Sequence, residues 1–256
     1  MPEGDTVHRW AGRLRAAIGG RPLRRFELRR DPRGVRFPAV GTIVEHVEAQ
    51  GKHLLIRFGD GATLHTHMRM QGTWHVYQPG ERWRRAGHRA RVVLEVEGGT
   101  QAVCFDAPVV ELRRDAAAVA HLGPDLAADE FDLDGALARL ATLPPHTQIG
   151  DALLDQRVVA GIGNVYKSEI CWACRVHPRT PLSGLADDAR RALFVTARQQ
   201  LRANIGSSRR VTYAGGFAVY GRSGRTCPRC RSTIRRDHDG DDERVTYWCP
   251  SCQPEP

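Results

Sequence analysis

The feature that most constrains how this chain can fold lies near its end, where Cys227-Pro-Arg-Cys230 is followed after 18 residues by Cys249-Pro-Ser-Cys252. Two knuckles at this separation set four thiolates tetrahedrally around Zn2+. The residues between them, Thr233-Ile234-Arg235 and Val245-Thr246-Tyr247-Trp248, are expected to pair as a two-stranded hairpin. A site closed by four protein ligands has no open coordination position, so one structural zinc per chain holds the fold and leaves the chemistry to other residues. In so small a segment the metal supplies most of the folding free energy. A further pair, Cys171-Trp-Ala-Cys174, lies in a helical pattern without partner cysteines and reads as apolar packing. Seven cysteines, an odd number with no apolar signal core at the N-terminus, argue for a reducing compartment and against a disulfide framework.

The rest of the chain must supply the function. With 256 residues it is long enough for two or three structural units, and no apolar run approaches the 18 residues of a membrane span. Lys and Arg number 38 against 29 acidic residues, a net charge of +9, and lysine occurs only at Lys52 and Lys167. A basic chain this rich in arginine is directed at polyanions, because the guanidinium fork matches phosphate.

The periodicity predicts an amphipathic helix from Asp5 to Gly19, with Val7, Trp10, Ala11, Leu14 and Ile18 on one face and Asp5 or Thr6 as its cap. Strands are expected at Thr42–Val47, Leu54–Phe58, Ala62–Met68, Thr73–Tyr77, Arg91–Val96 and Gln101–Phe105, separated by turn signals such as Gly59-Asp60-Gly61. Residues 1–114 thus read as a two-sheet β-sandwich with an N-terminal helix, and 115–131 as a linker. Residues 132–210 form a helical domain: one helix marked by Leu137 and Leu140, a second holding Ala152–Gln156, a third at Val165–Cys174 and a fourth through Ala189, Leu193, Ala197 and Leu201. Arg190, Arg191, Arg198 and Arg202 line the opposite face of the last, which reads first as solvated surface. Residues 211–256 carry the zinc hairpin, and the whole is α+β.

Two further stretches carry chemistry. The chain begins Met1-Pro2-Glu3-Gly4-Asp5. Removal of Met1, favoured before a small residue, leaves a secondary amine at Pro2. Amines near pH 7 attack carbonyl-like carbons, and a proline adduct is an iminium, a permanently charged electron sink. Glu3 beside it suits acid/base proton transfer. The same five residues also read as a plain helix start, so the motif alone does not decide. The second stretch runs from Leu153 to Tyr166, where Gly161 and Gly163 sit in a tight turn between helices. Backbone N–H groups opening the next helix, with Asn164 beside them, offer an anion site; a helix–turn–helix pair without phosphate binding is the alternative, and the glycine spacing alone does not decide between them.

In combination, Pro2-Glu3-Gly4-Asp5, Gln50-Gly51-Lys52, His67-Met68-Arg69-Met70-Gln71-Gly72, the Leu153–Tyr166 stretch, Val219-Tyr220-Gly221-Arg222 and Cys249-Pro250-Ser251-Cys252-Gln253 resemble the formamidopyrimidine-DNA glycosylase/endonuclease VIII family of base-excision repair, in order and along nearly the whole chain. The resemblance implies a β-sandwich, a helix–two-turn–helix domain and a zinc-ribbon hairpin, with damaged DNA as partner, a monomer, and a cytoplasmic, nucleoid-associated location in a bacterium. It implies that Pro2 attacks C1′ of a flipped nucleotide while Glu3 transfers protons, and that β,δ-elimination then nicks the strand. Lys52 lies beside phosphates and the flipped sugar, Asn164 holds phosphate, Arg244 clamps the phosphates flanking the lesion, and Met70 fills the gap in the stack; the alternating strand pattern also allows Met70 as an ordinary core methionine. Cys227, Cys230, Cys249 and Cys252 bind the zinc.

Two departures bear on substrate. Where formamidopyrimidine-type members carry Arg-Arg-Phe after an aspartate, this chain has Asp106-Ala107-Pro108-Val109-Val110, and only Ser207–Phe217 remains of the segment that caps 8-oxoguanine. Both favour the endonuclease VIII branch, with oxidised pyrimidines or hydantoins as lesions and bubble or single-stranded DNA as a further context. Two other functions stay open: an abasic-site lyase without glycosylase activity, and a non-catalytic zinc-ribbon protein that binds damaged DNA.

Overall fold

The computed structural model describes residues 2–29, 37–114, 117–238 and 244–256. Met1 lies outside the described residues, and so do Asp115 and Ala116 of the expected linker. The chain divides into two compact units, 1–121 and 122–256.

The first unit begins with helix α1 (Gly4–Ile18), whose buried Val7, Ala11, Leu14 and Ile18 recur every three to four residues and close one side of a sandwich. Eight strands follow: β1 (Leu23–Leu28), β2 (Val44–Gln50), β3 (His53–Phe58), β4 (Thr63–His67), β5 (Thr73–Tyr77), β6 (Ala90–Val96), β7 (Gln101–Phe105) and β8 (Val109–Arg113). They form two antiparallel sheets, β1-β6-β7-β5 and β2-β3-β4-β8. Leu54, Ile56, Phe58 and Leu64 of one sheet face Val92, Leu94, Val96, Ala102 and Cys104 of the other in a single apolar core. The six expected strands are present. β1 and β8 are additional, both at sheet edges and both rich in Arg and Glu, because an edge strand buries little of itself. The start of α1 also differs from expectation. Glu3 occupies the N-cap, with no side-chain capping bond, and Asp5 is already in the first turn and buried.

The second unit packs α2 (Leu133–Ala141), α3 (Ile149–Leu154), α4 (Asn164–Ala173) and α5 (Asp187–Ile205) around Leu140, Ile149, Leu153, Ile162, Tyr166, Ile170, Leu193, Phe194 and Leu201. Leu126 and Ala127 belong to this core. α3 ends two residues before Gln156, whose side chain instead fastens the following turn: it accepts the Gly161 N–H at 3.1 Å and donates to the carbonyls of Leu154 and Ile162. The arginines of α5 are staples rather than a solvated stripe. Arg198 and Arg202 donate to carbonyls of residues 126–129, Arg190 donates to the Leu182 carbonyl and Arg191 pairs with Asp134. The terminal hairpin pairs β9 (Arg235–His238) with β10 (Val245–Trp248). Its first strand thus starts at Arg235, later than expected, because Ile234 turns inward to pack with Trp172, Val219 and Cys249. Among the described residues no helix is long and apolar enough to cross a membrane.

Candidate active site and metal centre

Three predicted site positions of the first unit gather at one end of the sandwich, and the topology shows why. Gly20 N–H bonds the Val44 carbonyl and Arg15 Nε bonds the Val47 carbonyl, so α1 runs antiparallel to β2. Going back from Arg15 to Glu3 covers ~18 Å of helix, and going forward from Val47 to Gln50 covers ~10 Å of strand. The start of α1 therefore lies toward the turn that follows β2. That turn is Gly51-Lys52, closed by the pair Gln50 and His53, and it needs φ +57° at its first residue, which glycine adopts freely. The register His53 opposite His67 places the β4–β5 loop at the same end.

Pro2 is half-buried ahead of the N-cap, and the Glu3 carbonyl accepts from the N–H groups of Thr6 and Val7 while its side chain is fully buried. Lys52 is half-buried. Met70 is 70% exposed at the tip of its loop, which excludes the core methionine reading; Met68 holds the core position instead. The loop is tight: Gly72 N–H bonds the Met68 carbonyl, and a Cβ at Gly72 would sit 2.9 Å from the Ala107 Cα. The Asp106 segment is equally fixed. Asp106 adopts φ +55° and receives Arg89 Nε at 2.8 Å and Arg85 Nη1 at 2.7 Å, which hold its carboxyl below the usual range, and the chain enters β8 three residues later.

Sequence reasoning missed a row of imidazoles beside Lys52. His53, His65 and His67 share one face of the β3–β4 pair, with His53 Nδ1 2.8 Å from His65 Nε2. Burial and the adjoining His67 push His53 down to about 3, and burial and the neighbouring Lys52 charge push His67 down to about 4. The signal was available in His65-Thr-His67, an i, i+2 pair that must share a strand face.

In the second unit, α4 carries the polar groups. Gly163 is its N-cap and Asn164 its first residue; Asn164 Nδ2 donates to the Val245 carbonyl at 2.7 Å. Lys167, 1% exposed, reaches Thr246 Oγ1 at 2.5 Å. These two bonds seat β10 on the helix and bring Arg244, exposed one residue before β10, to the Asn164 turn. The buried Glu169 carboxylate accepts the N–H groups of Ala218, Val219 and Tyr220, each at 2.8 Å, and the Thr212 hydroxyl, fixing the short segment that follows α5.

The Sγ atoms of Cys227, Cys230, Cys249 and Cys252 lie within 4.8 Å of one another, a set that can hold a metal ion. The first knuckle favours thiolates, whereas burial pushes Cys249 of the second up to about 12 and raises Cys252. Trp172 Nε1 donates to Cys227 Sγ at 3.4 Å, and the Ser232 groups lower Cys230 to about 6. Gln253 locks the second knuckle, accepting the Cys249 N–H and donating to the Val176 carbonyl. Cys171 is buried within α4 and Cys174 bonds Thr196, so this pair takes no part.

Comparison with known proteins matches both units. A family model described as the formamidopyrimidine-DNA glycosylase N-terminal domain matches residues 1–108, and one described as the H2TH domain of the same enzyme matches 122–213. A Streptomyces coelicolor protein named probable endonuclease 8 2 is 44% identical over 100% of this chain and 95% of its own length. A Mycolicibacterium smegmatis protein named DNA-(apurinic or apyrimidinic site) lyase Nei2 is 40% identical over 99% of each chain. Among solved structures, MutM in complex with DNA containing carbocyclic 8-oxo-G aligns with a TM-score of 0.82 at 25% identity, covering 99% of this chain and 100% of that one. Lactococcus lactis formamidopyrimidine-DNA glycosylase bound to DNA with an abasic site gives 0.81 at 23% identity over the same shares, a likeness of fold.

Proposed function

Because this chain belongs to the formamidopyrimidine-DNA glycosylase/endonuclease VIII family, DNA glycosylases with abasic-site lyase activity that act in base-excision repair, we propose that it excises oxidised pyrimidines from damaged DNA through its N-terminal proline. The observation that carries the reading is the gathering of the α1 start, the Gly51-Lys52 turn and the Met70 loop at one end of the first unit.

In this reading the Pro2 amine, freed of Met1, attacks C1′ of the extruded nucleotide. The base leaves with a proton relayed by Glu3, and the iminium acidifies the C2′ protons so that β- and then δ-elimination release the two phosphates. Lys52 holds phosphate and sugar beside the reacting carbon. Met70, exposed on a rigid loop, enters the stack where the nucleotide has left. Asn164 and Arg244, joined through β10, hold the flanking phosphates. The four cysteines hold one Zn2+, which in a closed four-thiolate site supplies folding energy and no chemistry.

The preference for pyrimidines rests on two geometric facts. Asp106 is consumed by Arg85 and Arg89 and leads directly into β8, leaving no intercalating arginine or aromatic there. The segment from Ser207 to Phe217 is short and pinned by Glu169, so it does not form a long cap over a purine. The name of the 40% identical lyase favours a second reading, strand cleavage at abasic sites without base removal. Base release and strand cleavage measured separately on 5-hydroxyuracil, thymine glycol, a hydantoin, 8-oxoguanine and an abasic site test the proposal. Release of the oxidised pyrimidines supports it; cleavage of the abasic substrate with no base released from any other establishes the lyase reading.

A further inference from the structure

Cys171-Trp-Ala-Cys174 spans the end of α4, and although its cysteines take no part in the metal centre, the tryptophan between them reaches it. Trp172 is buried, and its Nε1 donates to Cys227 Sγ at 3.4 Å. An indole N–H can only donate, and this sulfur is the acceptor the structure gives it. Arg229, between Cys227 and Cys230, lies over the same ring with its guanidinium carbon 4.0 Å from the centroid. It also donates to the Trp172 carbonyl at 2.9 Å and to the Ala173 carbonyl at 3.3 Å, two of the carbonyls left open where a helix ends. At the other end of the helix, ~12 Å away, Asn164 and Lys167 bond β10. The terminal hairpin and its knuckle therefore grip α4 at both ends.

We propose that Trp172 is a positioning residue of the metal centre: its N–H fixes the Cys227 sulfur as a ligand, so that the helix opening at the Asn164 turn helps to retain the metal. The inference rests on the reading above that the four cysteines hold Zn2+. Four thiolates on a divalent ion carry surplus negative charge, and Cys227 is 1% exposed, so water does little to offset it at this sulfur. Protein donors have to do so. Two of them are the backbone N–H groups of Arg229 and Cys230, which belong to the same knuckle. The third is the indole, which comes from a different element 55 residues away. Backbone donors orient the knuckle on itself; the indole orients it on α4. Outer-shell donors of this kind hold a metal ligand in place and raise metal affinity. A tryptophan that only fills space would serve as well without its N–H, which makes the two roles separable.

Trp172→Phe keeps a buried aromatic ring and removes the donor. In competition with a chromogenic chelator at pH 7, its Zn2+ dissociation constant should rise about tenfold or more over wild type, the range expected when a metal ligand loses its outer-shell partner. Trp248→Phe is the control, the same change in the same hairpin. Trp248 Nε1 is buried with no hydrogen-bond partner among the described residues, so this variant loses no bond and its Zn2+ affinity should stay within about twofold. An equal loss in the two variants, or none in Trp172→Phe, overturns the proposal. A second readout needs no variant. In wild-type protein loaded with 113Cd2+, the Trp172 indole proton should show scalar coupling to the metal through Cys227 Sγ, as should the backbone N–H groups of Arg229 and Cys230. Coupling from the backbone groups without coupling from the indole refutes the bond, even where Trp172→Phe fails to fold. Wild-type protein that takes up neither zinc nor cadmium would instead sink the metal reading itself, an outcome distinct from failure of the tryptophan's role alone.

Discussion

The two units hold their functional side chains by opposite means. In the first, the core is apolar, and Pro2, Lys52 and Met70 sit at a chain end and two turns, fixed by backbone geometry: a helix start, a positive φ at Gly51 and close packing at Gly72. In the second, Asn164, Lys167 and Glu169 are polar groups packed between elements, and each also closes a tertiary contact. A side chain that hangs from a scaffold can be removed without loss of the fold. One that is part of the scaffold cannot, since a buried polar partner left alone costs its full desolvation. Function and stability should therefore separate in the first unit and travel together in the second.

The largest effect that sharpens this contrast comes from the metal site. Chelation, or Cys249→Ser, should unfold the terminal hairpin and abolish DNA binding while the first unit keeps its own melting transition, read by calorimetry together with metal content. Binding that survived complete removal of the metal would break the comparison. Next, Glu169→Ala should cost about 3 kcal/mol in chemical denaturation, because three backbone N–H groups lose a buried carboxylate.

A smaller effect belongs to the first unit. His53 and His67 are held at about 3 and about 4 against an ordinary 6.5. The unfolded chain thus takes up protons first as the pH falls, so this stability is present above pH 6.5 and is lost toward pH 4. Between pH 6.5 and 5, where carboxylates contribute little, the wild-type melting temperature should drop and that of a His53→Gln/His67→Gln variant should stay nearly level. Equal slopes would show that the row titrates normally. The smallest effect is expected for Arg244→Ala, the exception in the second unit because its side chain is exposed rather than packed: it should weaken DNA binding alike for all sequences, reduce the salt slope by about one unit and leave melting unchanged.

Much of this was legible in the sequence, and the reasons differ by element. The strands Thr73–Tyr77 and Gln101–Phe105 were placed to the residue because turn signals bound an apolar alternation on both sides. β1 and β8 were not, since Arg24, Arg25, Glu111 and Arg113 mask the period and only pairing to β6 and β4 makes these segments strands. The cysteine cluster followed from spacing alone. Lys167 and Glu169 carried no local mark, because they sit in a helix whose apolar period is complete without them, and their partners are 79 and 43–51 residues away. The row of imidazoles needed the β3–β4 register, which a single chain of letters does not state.

The central claim is that the nucleophile is the amine of Pro2. It is tested most directly by borohydride reduction of the purified protein on an oligonucleotide with one abasic site, followed by mass analysis of the cross-linked peptide. The expected result is a covalent adduct on the peptide that begins at Pro2, absent in Pro2→Gly although that variant melts and binds DNA like the wild type. An adduct mapped to Lys52, or strand cleavage at the wild-type rate by Pro2→Gly, would contradict the account.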